Sequence, residues 1–431
     1  MPSARRPLFR LSLAAAVCTL LLLPGAPLDA FLAQTPTQTP RVDATARLWG
    51  RVVTVDGAAV EGFLRWDRNE TGAADLLDGT RSVTEEGLEA RREIAEASSE
   101  DRRRSVEILG YRVTWKEDED FDTAVESGIR FGWVDRIVPD GDDVQVILRT
   151  GDTIRLGATS SDIGPGMRGL DVEGADGEIN TIRWPRIGEV TLGTAPPMAT
   201  PASRRLHGTL TTVSGLTFTG WIAWDADEVF ESEVLDGDEG GVAFADIARI
   251  ERASPGVRLT LKSGERRSLT GSNDVDRDNR GIHVSDPDLG RAQVSWEEFE
   301  ALDFHEPVPT PGSSALTFSY GGPLMGRVTT ESGRTWSGRV LWDLDEGFAW
   351  QLLNGSAEGA DVAIEFSRIV RIEKAQGGQG ARVVLRDGRA LQLEGSNDVD
   401  ATNRGLLVID ASGERHFVDW AGFSTLDLET R

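Results

Sequence analysis

One pattern of residues is written three times along this chain, and no other feature limits the fold as strongly. Gly50, Gly57, Gly62, Trp66, Asp67, Glu70 and Gly79 recur as Gly208, Gly215, Gly220, Trp224, Asp225, Glu228 and Gly237. They recur again as Gly326, Gly333, Gly338, Trp342, Asp343, Glu346 and Gly355, with every spacing unchanged. Such self-similarity predicts one folding unit used three times. It does not by itself imply a reaction.

Within each unit the hydrophobic period is two. Val257, Leu259 and Leu261 alternate with Arg258, Thr260 and Lys262 before the turn residues Ser263 and Gly264. Val144, Val146 and Leu148 repeat the scheme before Thr150-Gly151, as do Val383 and Leu385 before Asp387-Gly388. Alternation bounded by Gly turns marks antiparallel strands with one buried face. The expected fold is therefore all-β: three tandem antiparallel β-barrel-like repeats, closed or sandwiched to hide their edges. Their expected limits are 47–193, 204–305 and 316–431. Two Pro-rich linkers, 194–203 and 306–315, separate them and are expected to run extended rather than join the sheets.

The first unit carries about 45 extra residues between Gly79 and Ile129. This charged insertion, at about 80–128, is rich in helix formers around Thr84–Ile108. It has only Leu88, Ile94, Val106 and Ile108 as large apolar positions there, too few for a stripe, so a solvated helix is expected. Leu109, Tyr111, Val113 and Trp115 then alternate as a strand.

Ahead of the units, residues 1–33 have the form of an export signal. Arg5, Arg6 and Arg10 precede an apolar run from Leu11 to Leu23, then Pro24 and small residues, with cleavage expected after Ala30 or Ala33. At 13 residues the run falls short of the roughly 20 needed to span a bilayer, so no stable membrane span is expected after removal. The only cysteine, Cys18, lies inside it, which excludes disulfides and Cys-ligated zinc from the remainder. Residues 34–46 read as an unstructured Thr/Gln/Pro spacer. A formal charge of −25 opposes phosphate backbones and anionic lipid, so nucleic acid is not an expected partner.

The start of each unit, as in Gly333-Arg334-Thr335-Trp336-Ser337-Gly338-Arg339-Val340-Leu341-Trp342-Asp343, resembles the first motif of Sm-like and SH3-like small β-barrels. Ile364, Phe366, Ile369 and Ile372, matched by Val242, Phe244, Ile247 and Ile250, are similar to the later strands. The resemblance covers about half of each unit and implies a fold. It does not imply RNA binding: Glu70, Glu228 and Glu346 stand near the place of that family's Asn-bearing RNA loop, and its basic partner motif is missing.

The repeated Trp-Asp pairs suit a core indole followed by an Asp that accepts N–H bonds in the next turn. Trp184, Trp296 and Trp420 recur in each unit's last strand as further core. Trp49, Trp115, Trp133, Trp221, Trp336 and Trp350 have no counterparts, and an exposed one offers a flat face to sugar rings. The most polar repeat runs from Gly271 to Gly281 and returns from Gly395 to Gly405. Asp274, Asp276 and Asp278, with Asp398 and Asp400, have the alternate spacing of a hard-cation loop, which suggests weak calcium binding. The bidentate Glu of such loops is missing, since Ser285 stands at the twelfth place. A structural reading competes. Asp162 and Arg168, Asp274 and Arg280, and Asp398 and Arg404 share one spacing, which fits an Asp–Arg pair closing each loop.

His207, His283, His305 and His416 occupy non-equivalent positions, and no nucleophile elbow, phosphate loop or paired-His zinc helix is present. The expected function is an exported, non-catalytic binding or structural repeat protein of the bacterial envelope or exterior, periplasmic or extracellular, contacting protein or glycan. It is expected to need no cofactor beyond that possible weak calcium. The alternatives are a secreted carbohydrate-active hydrolase and a calcium-dependent carbohydrate-binding protein.

Overall fold

Alternating burial appears where the sequence alternates: along Val257–Leu261 the residues are buried, exposed, buried, half-buried and buried. A computed structural model of the chain describes residues 42–43, 46–94, 124–158, 160–307, 317–318 and 320–429. The segment expected to be an export signal, most of the expected spacer, and the strand expected at Leu109–Trp115 lie outside the described residues. The fold is all-β, built from antiparallel sheets.

Three large sheets share one strand order. The first runs Ile179–Ile182, Leu170–Glu173, Ala59–Trp66, Trp49–Thr54, Ile187–Gly193, Val134–Asp140, Asp143–Leu148 and Thr153–Leu156. The second follows the same sequence of places from Gly290–Val294 to Arg266–Leu269, and the third from Arg415–Val418 to Ala390–Leu393. Two repeated glycines explain part of this likeness. Gly57, Gly215 and Gly333 turn hairpins at φ of 87°, 91° and 80°. At Gly62, Gly220 and Gly338 a Cβ would come within 2.1, 2.4 and 2.1 Å of a neighbouring strand's carbonyl oxygen, so any side chain would push the sheet open.

The sheets do not stay apart at the Pro-rich linkers, which corrects one expectation. Gly290–Val294, the edge of the second sheet, pairs along its length with Ala360–Glu365, whose hairpin partner is Leu352–Ala357. The second sheet thereby reaches 10 strands and includes a hairpin from the third repeat of the sequence. An exposed edge is a row of unpaired backbone groups, and this hairpin covers it. Val42–Asp43 pairs with Thr317–Phe318 in the same way. One apolar core runs continuously from the second sheet into the third, while Phe318 and Trp350 complete the core of the first. All described residues fall within one compact unit, Thr39–Arg431.

The insertion also differs from expectation. Leu76–Ser82 and Ala124–Arg130 form a hairpin, so its ends are strand. The one α-helix among the described residues begins at residue 85 and is described as far as residue 94. It is not a solvated appendage. Ala90 and Ile94 pack on Leu341, Leu344, Leu407 and Ile409 of the third sheet and its turn. Around that small apolar contact, Arg339 pairs with Glu86, and Arg415 with Glu89 and Glu93. The stripe is short because the helix has one small contact to cover, and charge pairing supplies the rest.

Segments from all three repeats of the sequence meet at Arg130, whose side chain is fully buried. Its guanidinium donates to the carbonyl oxygens of Ala74, Asp286 and Pro287, and lies 3.6 Å from the equally buried Glu365. Glu365 also accepts the indole N–H of Trp133 at 3.0 Å. Removing Glu365 leaves Arg130 buried without a counter-charge, and removing Arg130 leaves Glu365 with Arg368 alone, at 3.7 Å. Arg130→Met is expected to destabilise the fold by about 3–5 kcal/mol in denaturant unfolding, with Arg130→Met/Glu365→Leu less destabilised than the single variant. An unchanged midpoint for Arg130→Met would contradict this role.

Candidate functional site

The repeated polar residues come together in each sheet in one arrangement. Trp66, Trp224 and Trp342 are buried, and their indole N–H groups donate to the backbone oxygens of Asp162, Asp274 and Asp398 at 2.8, 2.9 and 2.9 Å. The carboxylates of those three Asp accept the backbone N–H of Asp78, Asp236 and Asn354, fastening the polar loop to the following hairpin. Asp67, Asp225 and Asp343, one residue after each Trp, are fully buried with φ of 42°, 46° and 45°. Asp tolerates this left-handed conformation better than most residues.

These buried Asp do not cap their own turn, as expected, but reach the polar loop. One oxygen accepts the backbone N–H of Arg168, Arg280 or Arg404. The other accepts that guanidinium and a side chain from Ser161, Asn273 or Asn397 at 2.6 Å. The loop arginine therefore pairs with the Asp after the Trp, and the expected pairs of Asp162 with Arg168, Asp274 with Arg280 and Asp398 with Arg404 do not form. Sequence spacing linked residues within one loop, whereas the bond joins two strand ends more than 50 residues apart.

The alternate carboxylates of the loops serve local turns. Asp276 accepts the N–H of the exposed Asp278 at 2.8 Å, and Asp400 accepts from Thr402 at 2.8 Å. Acidic or His groups that bring ligand atoms within 4.8 Å of one another are, among the described residues, Asp343–Glu346–Asp398, Asp225–Asp227–Glu228 and Asp410–Glu414–His416. The loop spacing thus does not gather Asp274, Asp276 and Asp278, and Asp398 is joined by Asp343 and Glu346 rather than by Asp400. Asp274→Ala is expected to destabilise the protein by about 1–3 kcal/mol, equally with and without calcium, because it strips the acceptor from Asp236 N–H. A calcium-dependent melting shift lost in the variant would oppose this.

The Glu of the repeat supplies a feature that spacing did not reveal. Glu70, Glu228 and Glu346 each leave Oε2 buried without a hydrogen-bond partner. Burial, then the neighbouring Asp162, Asp75, Asp78 and Asp67, raises Glu70 well above the usual carboxylate range. Burial and Asp227 push Glu228 up to about 9. Glu346 is raised by burial and by Asp345, which is within hydrogen-bonding reach and whose Oδ1 is likewise partnerless. A proton on Glu346 satisfies both atoms at once. Burial also lifts Asp162 to about 8 and Asp398 to about 7.

These groups bind protons in the folded state that the unfolded chain has released, so stability falls as pH rises between the unfolded and folded values. His207 and His283 are held neutral by burial, so above about pH 7 they bind no proton in either state. The melting temperature is expected to fall from about pH 7 to about pH 9, with Glu346→Gln less sensitive to pH than wild type. A rise across this window would refute neutral carboxyls.

A separate cleft of about 350 Å³ opens where the second sheet meets the segment entering it. Its walls include Arg47, Arg204, Arg205, His207, Trp221 and His305. His207 and His305 lie 98 positions apart, but their strands are neighbours, and their ring centroids are 5.0 Å apart. His207 Nδ1 is 3.0 Å from the carbonyl oxygen of His305, and its ring meets the Trp221 indole edge-on. Of the unmatched tryptophans, Trp49, Trp133 and Trp350 are buried, Trp221 and Trp336 are half-buried, and Trp115 lies outside the described residues.

Comparison with family models, with curated proteins and with solved structures finds no match for the chain.

Proposed function

We propose that the chain is an exported, non-catalytic binding or structural protein of the cell envelope or exterior, contacting protein or glycan. One observation carries this reading: the repeated Asp side chains are engaged inside the molecule. Asp67, Asp225 and Asp343 have both carboxylate oxygens occupied by loop donors, and Asp162, Asp274 and Asp398 hold the next hairpin. Repetition of this kind supports a rigid surface rather than a reaction. The pattern ahead of the repeats supports export, and the acidity of the chain supports a partner that is not nucleic acid.

The test combines three measurements on the full chain. Fractionation of the producing cells is expected to place a processed form outside the cytoplasm. A glycan array and a cross-linked pull-down from envelope extract then separate sugar from protein partners. Cytoplasmic retention, or turnover of a substrate abolished by one point mutation, would overturn the proposal.

A further inference from the structure

The cleft beside Trp221 differs in charge from the molecule around it. Arg47, Arg204, Arg205 and Lys262 line it, against Glu231 and Glu306. The two carboxylates are taken by Arg204, at 3.0 and 2.5 Å, with Lys262 at 3.9 Å from Glu231. Behind the wall, Asp75 takes Arg205 at 2.9 Å. Arg47 donates to the carbonyl oxygens of Thr71 and Ser203, both at 3.2 Å, and its guanidinium lies over the Phe230 and Phe63 rings at 4.8 and 5.4 Å. Burial, followed by repulsion from Arg205, pulls Arg47 down to about 10.

Arg205 is a second, independent sign of a missing anion. Its side chain is only 3% exposed, yet Nε and Nη1 have no hydrogen-bond partner. A buried guanidinium with unmade bonds is costly unless an acceptor arrives. Its carbon lies 5.0 Å from the centre of the Trp221 ring, so cation and indole form one wall.

The same cleft offers acceptors. Because His207 Nδ1 faces a carbonyl oxygen, that nitrogen must carry the proton, and Nε2 presents a lone pair. Glu231 and Glu306 add carboxylate oxygens at the rim. Cations, acceptors and an aromatic ring within about 350 Å³ suit a compact ligand that has one negative group and several hydroxyl donors. An acidic peptide fits less well, since its further charges would meet the rim carboxylates and a chain of net charge −25.

We propose that this cleft binds a sugar that carries a single carboxylate, with Arg47 and Arg205 as its counter-charge and His207 and Trp221 beside the ring. This deepens the reading of the chain as a non-catalytic binding protein and rests on it.

Calorimetry on the full chain with methyl galacturonoside, its methyl ester, and inorganic sulfate tests the assignment. The acid is expected to bind at least about tenfold more tightly than the ester, and less tightly at high salt. Arg205→Met should abolish binding. His207→Ala, on a half-buried side chain, should weaken it about tenfold while the melting curve stays cooperative, which keeps the test decisive if Arg205→Met misfolds. Equal binding of acid and ester, no binding of either, or binding of sulfate alone would overturn the proposal. Release of reducing sugar from the glycoside would instead overturn the non-catalytic reading and leave the cleft assignment standing.

Discussion

The junction of the three repeats is built around the buried ion pair of Arg130 and Glu365. Arg130 and Glu365 each stand immediately before a short 3-10 turn that begins with a buried Phe, Phe131 in one case and Phe366 in the other. The matching place before Phe244 holds Ala243. One scaffold position therefore carries a cation, a neutral methyl and an anion in its three occurrences. Opposite charges suit a dry junction, because an ion buried there alone has its desolvation cost uncompensated. The backbone oxygens of Asp286 and Pro287 bring the second sheet to the same guanidinium. The ion pair thus selects which surfaces face each other, while the apolar cores supply most of the burial.

A similar logic operates one layer out. The loop arginine of each repeat takes the Asp after the Trp, then looks for a second acceptor two positions further on. That position is Asn69, Asp227 or Asp345. Where it is Asp345, Arg404 takes it at 2.6 Å. Where it is Asn69, Arg168 also reaches across to Asp227 of the next repeat at 3.0 Å. A missing charge inside one repeat becomes a contact between two. Arg81 and Arg91, from the first repeat's insertion, likewise reach Glu346 and Asp345 of the third. Departures from the repeat hold the chain together as much as the repeat itself does.

Acidity and the buried carboxyls belong together. A chain with this excess of Asp and Glu places some of them out of water beside one another, where they remain neutral by holding protons. The cleft at Arg47 and Arg205 is the opposite case: two guanidinium groups are held out of water side by side, with Asp75 as the ion-pair partner of Arg205. The first imbalance can be resolved by a proton from solvent. The second, with guanidinium groups that stay charged, needs an anion from outside.

The sequence alone determined the strand content, the repeated turns and the six core indoles that recur in every repeat. Those depend on local periodicity, Gly conformations and apolar volume, which are readable within a few residues. It also singled out Asp162, Asp274, Asp398 and their arginines, because repetition exposes them. Only the tertiary structure decided their partners. Arg168 meets Asp67 rather than Asp162, Gly290–Val294 meets Ala360–Glu365, the charged helix meets Leu341 and Leu407, and His207 meets His305. Each is a pairing of charge or strand edge between distant segments, for which many partners of equal chemistry exist along the chain. Which one is met depends on packing geometry, and that is settled only when the sheets close on a common core.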